Sequence, residues 1–118
     1  SLIGDGSFLI NVQELNFIKF YKIPLKIVVI DNKIYGNTKI GCEAYKIKSV
    51  GNDKATGYYP PEISKIAKSF DIKYLYLKNE SLQNSLIKKF IKYKKACILH
   101  VNIHPDHPLI EHSNIWRY

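Results

Sequence analysis

The chain has 118 residues, begins at Ser1, contains no methionine, is 46% apolar and carries a formal charge of +8. That apolar share excludes an intrinsically disordered chain, and no run approaches the roughly 20 apolar residues of a membrane-spanning helix. One domain is expected at this length, since domains usually run about 100–200 residues, and the missing methionine predicts a trimmed chain or a piece of a larger one. No charged-then-apolar leader resembling a signal peptide opens it.

The first predicted element is a strand end at Ser1-Leu2-Ile3, broken by Gly4-Asp5-Gly6-Ser7. From Phe8 the pattern becomes helical: Phe8, Val12, Leu15 and Ile18 recur three and four apart on one face, and Lys22 and Pro24 end that helix. Leu25 to Ile30 is a near-continuous β-branched run of the kind buried on both faces of a sheet, closed by Asp31-Asn32. Lys33 to Tyr59 is polar and glycine-rich, which predicts a loop that serves a site or a docking surface, with a helical turn around Glu43 to Ile47.

Pro60-Pro61-Glu62 suits the first turn of a helix whose stripe is Ile63, Ile66, Ala67 and Phe70. Tyr74 to Leu77 is a short strand. Glu80-Ser81 starts another helix, with Leu82, Leu86, Ile87, Phe90 and Ile91 inward, and Ala96 to Val101 is the last strand. The tail from Asn102 lacks periodicity. Strands alternating with helices imply an α/β fold: a three-layer α/β/α arrangement with a mostly parallel sheet and right-handed crossovers. Ligands in such sheets bind at the carboxyl ends of the strands, and two of those ends carry Gly4-Asp5-Gly6-Ser7 and Asp31-Asn32.

The glycines allow a tight turn and close backbone approach, and the amides from Ser7 onward favour a phosphate. A carboxylate at Asp5 repels phosphate unless a divalent cation lies between them. Mg²⁺ is held in this way, by one or two carboxylates together with phosphate oxygens and water. The 25 residues between Gly6 and Asn32 fit one helix and one strand, which sets Asp5 beside Asn32 at one sheet edge. The Asn32 amide oxygen suits Mg²⁺ or Ca²⁺, and the Ile34 carbonyl adds a third donor.

Gly4-Asp5-Gly6-Ser7-Phe8-Leu9, Asn11-Val12-Gln13-Glu14-Leu15, and the strand ending Asp31-Asn32 before Tyr35-Gly36 closely resemble the thiamine-diphosphate motif, a GDG followed by an Asn pair. Gly57-Tyr58-Tyr59-Pro60-Pro61-Glu62-Ile63 with Lys65-Ile66-Ala67-Lys68 resembles its acetolactate-synthase-like branch. The resemblance spans nearly the whole chain. It implies that residues 1–118 are a C-terminal diphosphate-binding domain truncated at its N-terminus, because such domains carry earlier strands before the GDG.

The same resemblance implies a site. Asp5 and Asn32 would bind Mg²⁺ through side chains and Ile34 through its carbonyl. Gly6 and Ser7 would contact the diphosphate, Gly4 would belong to the same cofactor-binding set, and Tyr35 would lie near cofactor or substrate. The cofactors are thiamine diphosphate and Mg²⁺, and the chemistry is decarboxylation and carboligation of pyruvate or a related 2-oxo acid. The activating glutamate belongs to a separate N-terminal pyrimidine-binding domain, so this chain supplies no catalytic residue and is inactive alone. The full-length enzyme is expected to be a cytoplasmic homodimer or homotetramer. Two departures stand out: Asp31 replaces the first Asn of the pair, and Ile34 replaces a small residue. The other expectation is a non-catalytic phosphate- or nucleotide-binding α/β module.

The remaining candidates have plainer readings. Of 18 basic residues 17 are lysine and only Arg117 is arginine, the side chain that forks onto phosphate and guanine; a solvated lysine surface is expected rather than a nucleic-acid footprint or a membrane patch. Cys42 and Cys97 lack metal or disulfide spacing. His104, His107 and His112 are expected on the surface and His100 as a satisfied sheet residue, with no Zn²⁺ site. Tyr58, Tyr59, Tyr74 and Tyr76 are expected to pack.

Overall fold

The computed structural model describes residues 1–78 and 83–105. Its elements are β1 (Leu2–Gly4), α1 (Asp5–Ile10), α2 (Glu14–Phe20), β2 (Lys26–Asp31), α3 (Gly36–Ala44), α4 (Ile63–Ser69), β3 (Lys73–Leu77), α5 (Gln83–Lys92) and β4 (Cys97–Asn102), with one 3-10 turn at Lys54–Thr56. The four strands form one sheet in the order β1-β2-β4-β3, and every pairing is parallel. The fold is α/β, as the alternation predicts.

Strand periodicity divides the core. Ile27 and Val29 of β2 and Ile98 of β4 face one way, where they meet Phe8, Leu15, Ile18, Ile63, Ala67 and Ile72 from α1, α2, α4 and the turn before β3. Leu75, Cys97 and Leu99 face the other way, under Phe90 and Leu86 of α5. Helices therefore cover both faces. Each of these fully buried aliphatic side chains contributes about 1.5–3 kcal/mol. Among the described residues no helix is long and apolar enough to cross a membrane.

Several local expectations are corrected. The helix predicted from Phe8 starts at Asp5 and is split: Asn11 ends α1, its Nδ2 donating to the Ser7 carbonyl at 2.9 Å. The chain re-enters a helix at Glu14 through successive three-residue turns. Phe8, Leu15 and Ile18 are nevertheless buried together, so the stripe was real and the interruption came from a side chain competing for backbone groups. The supposed loop from Lys33 contains α3, which begins at Gly36 and ends where a turn was expected. It buries no residue, so no apolar stripe announced it. Pro60 and Pro61 precede α4, and Glu62 is its N-cap. Ile91, expected inward, is 66% exposed, and Asn102 closes β4 instead of opening the tail. Glu80, Ser81, Leu82, His107, His112 and Arg117 lie outside the described residues.

The register fixes the site. Gly4 pairs with Ile30, which puts Asp5 and Asp31 level with each other at the carboxyl ends of adjacent strands. Asp31 in turn pairs with Asn102, bringing β4 to the same edge.

Candidate functional site

At that edge a cleft of about 230 Å³ is lined by Gly4, Asp5, Gly6 and Ser7 from one strand end and by Asn32, Ile34 and Tyr35 from the next. All seven residues singled out in the sequence meet there. Ile30, Gly36, Asn37 and Thr38 complete the lining.

Two buried carboxylates sit at this edge in opposite circumstances. Asp5 is 3% exposed and accepts a 3.0 Å hydrogen bond from the Tyr58 hydroxyl on Oδ2. Burial raises its carboxyl above the usual range, and the nearby charge of Asp31 adds to this, against the lowering effect of Tyr58. Among the described residues no basic side chain forms an ion pair with Asp5. Among those residues it is a buried acid without a neutralising cation.

Asp31, equally buried, is fully partnered. Its Oδ2 takes the His100 Nε2 hydrogen bond at 2.9 Å and an ion pair with Lys33. Its Oδ1 accepts from the Lys33 backbone N–H at 3.1 Å. Burial alone would raise this carboxyl, but the hydrogen bond from His100 and the contacts with Lys33 overcome it and hold the group at about 2. His100 is satisfied at its other nitrogen by the Tyr74 hydroxyl, 2.7 Å away, as expected of a sheet histidine. A row of side chains from β3, β4 and β2 thus ends in the turn that carries Asn32. That turn is further tied by Asn32 Oδ1, which accepts from the Ile34 N–H at 3.2 Å. Lys33 holds it with a left-handed φ of 60°.

Tyr35 closes the cleft on one side. Its N–H donates to the Asn52 carbonyl at 2.8 Å, and its ring lies 4.5 Å from that of Tyr58, centroid to centroid. The ring also fills the space above Gly6, where an added Cβ would come within 2.3 Å of Tyr35 Cε1. Only glycine permits that approach. Gly6→Ala is expected to cost about 1–3 kcal/mol in thermal or denaturant unfolding. The cost should largely vanish in a Tyr35→Ala background, where the ring is gone.

Tyr58 and Asp31 are the site residues that sequence reasoning missed. Tyr58 was expected only to pack, yet it reaches across 53 positions to Asp5. Its one local signal was Gly57 before it, which adopts a left-handed φ of 107° and turns the chain inward. Asp31 was noted as part of a strand end that ligands approach and as a departure from a motif, with no role of its own. The expected packing of Tyr59 does not hold, since it is 81% exposed. Among the described residues no three His, Cys, Asp or Glu side chains gather as a metal cluster. Cys42 and Cys97 are both free of disulfides, and burial pushes the Cys97 thiol up and away from reactivity.

The parallel order, the glycine-lined cleft and the paired strand ends define a cofactor-binding α/β domain. Residues 1–101 match the family of the thiamine pyrophosphate enzyme C-terminal TPP binding domain, and the chain belongs to it. An acetolactate synthase large subunit of Porphyra purpurea is 33% identical over 96 residues, covering 81% of this chain and 16% of that protein. The acetolactate synthase isozyme 2 large subunit of Escherichia coli (strain K12) is 27% identical over 113 residues, 96% of this chain and 19% of that one. The chain therefore spans less than a fifth of the length of these relatives. Among solved structures, a thiamine diphosphate-dependent 4-hydroxybenzoylformate decarboxylase from Rhodococcus jostii RHA1 superposes with a TM-score of 0.78 at 19% identity, over 91% of this chain and 20% of that one. A benzoylformate decarboxylase from Polynucleobacter necessarius gives 0.74 at 26%, over 92% and 20%. The domain is thus one for thiamine diphosphate, rather than for nucleotides in general.

Proposed function

We propose that this domain holds thiamine diphosphate through Mg²⁺ in an acetolactate synthase-like enzyme that acts on pyruvate or a related 2-oxo acid. The observation that carries this reading is Asp5: a buried carboxylate with no cationic partner among the described residues, in a cleft shared with the hard oxygens of Asn32 and Ile34. A divalent cation neutralises such a group and prefers such donors. Asp5 and Asn32 would ligate it through their side chains and Ile34 through its carbonyl. Gly4 leaves open space at the strand end, Gly6 and Ser7 contact the diphosphate, and Tyr35, whose ring covers Gly6, stands beside the cofactor.

The cofactor, when bound, supplies carbanion chemistry toward the carbonyl carbon of a 2-oxo acid. The chain's own residues bind and orient it. No side chain of the cleft has the role of the activating glutamate, which we assign to a pyrimidine-binding domain of the same enzyme in a cytoplasmic homodimer or homotetramer. The names of the sequence relatives favour acetolactate formation, while those of the structural neighbours point to decarboxylation of aromatic 2-oxo acids. Incubating the full-length protein with pyruvate and with benzoylformate separates them. Release of CO₂ from pyruvate together with acetolactate, dependent on both thiamine diphosphate and Mg²⁺, is expected. Turnover of benzoylformate alone, or of neither acid, would rule the pyruvate reading out.

A further inference from the structure

The sequence departs from an Asn pair at Asp31, and the structure supplies a partner for that departure. The Asp31 oxygens are divided: Oδ1 accepts the Lys33 N–H at 3.1 Å, and Oδ2 meets the Lys33 ammonium and, at 2.9 Å, the His100 Nε2. A carboxylate offers both acceptors at once, whereas an asparagine has one oxygen and a pair of donors. His100 lies on β4, which stands between β2 and β3, and is 7% exposed. Its ring is held from the far side by the Tyr74 hydroxyl, 2.7 Å from Nδ1, and by the Tyr76 ring, 5.1 Å away between centroids. With Asp31 ionised, Nε2 carries the proton and Nδ1 accepts from Tyr74, so one tautomer of a neutral imidazole satisfies both neighbours.

The exit from β2 needs such an anchor. Lys33 is left-handed there, with a φ of 60°, a conformation that a side chain bearing a Cβ disfavours. The hydrogen bond on Asn32 Oδ1 comes from Ile34, within the same turn, and does not tie the turn to the sheet. Asp31 does so twice, through its carboxylate to His100 and through its carbonyl, which accepts the Ile103 N–H at 3.0 Å. Resting on the reading of Asn32 as a cation ligand, we propose that His100 is a positioning residue: acting through Asp31, it sets the direction in which Asn32 offers its amide oxygen, with Tyr74 fixing the imidazole.

The test compares wild type, His100→Leu and His100→Gln in the full-length protein, by amide hydrogen exchange without cofactor and by titration of Mg²⁺ at saturating thiamine diphosphate. His100→Leu is expected to speed exchange at the Lys33 and Ile34 amides, which bond to Asp31 and Asn32, while Val29 and Ile98 in the strands keep their rates. Its Mg²⁺ affinity should fall about 10-fold, the scale usual for outer partners of a ligand. His100→Gln keeps an N–H donor for Asp31 and should restore most of both. Exchange that rises equally in strands and turn, an unchanged Mg²⁺ affinity in His100→Leu, or a loss that glutamine does not restore makes His100 a packing residue and overturns the proposal. Absence of Mg²⁺ binding in the wild type overturns the ligand reading of Asn32 itself, and the proposal with it.

Discussion

Replacing Asp5 by asparagine is expected to raise the thermal stability of the cofactor-free protein at neutral pH and to weaken Mg²⁺-dependent binding of thiamine diphosphate by about 100-fold or more. The two effects share one cause. The carboxyl is buried beside Asp31 and is shifted upward. Folding therefore favours its protonated form, and its ionisation at neutral pH works against the folded state. The sign follows directly: a raised acid contributes stability at low pH that is lost as pH rises through its folded value. An amide of the same shape can still accept from Tyr58 and carries no charge to bury. What it lacks is the charge that attracts a cation. Stability gained at a site where binding is lost marks a residue kept for function rather than for folding. A melting curve and a titration on the same variant check both halves.

The opposite result is expected at Asp31. Asp31→Ala should cost about 3 kcal/mol or more, because it removes the acceptor for both His100 Nε2 and the Lys33 amide and strands buried donors. Asp31→Asn should cost less, since one oxygen still accepts from Lys33. The pH dependence also runs the other way from Asp5. With a folded value near 2 against 3.8 for the free group, Asp31 contributes stability that is fully present above about pH 5 and is lost as pH falls toward 2. Acid unfolding should accordingly be shallower in Asp31→Asn than in wild type. Urea midpoints between pH 2 and 6 measure this, and identical slopes would show that Asp31 does not drive acid unfolding. The turn held by these contacts carries Asn32, so both variants should also weaken Mg²⁺ binding, Asp31→Ala more.

Much of the fold was legible because strands and helices here bury periodic apolar faces: Phe8, Leu15 and Ile18 on one side, Phe90 and Leu86 on the other. What escaped was structure made by polar competition or left at the surface. Asn11 splits the first helix by hydrogen bonding to Ser7, and α3 forms without burying any side chain. The cleft was legible for a related reason. Gly4-Asp5-Gly6 and Asp31-Asn32 lie at ends of adjacent strands, so local sequence and simple topology bring them together. Tyr58 and His100 reach the same place from 53 and 69 positions away from their partners, and no spacing rule announces such contacts.

A divalent cation, held by Asp5 and Asn32, is expected to join this domain to thiamine diphosphate. Titrating thiamine diphosphate into the full-length protein with and without Mg²⁺, for wild type, Asp5→Ala and Asn32→Ala, tests it most directly. Saturable binding is expected in wild type only when Mg²⁺ is present, with loss of that binding in both variants. Binding of equal strength without Mg²⁺, or binding that survives both substitutions, would contradict it.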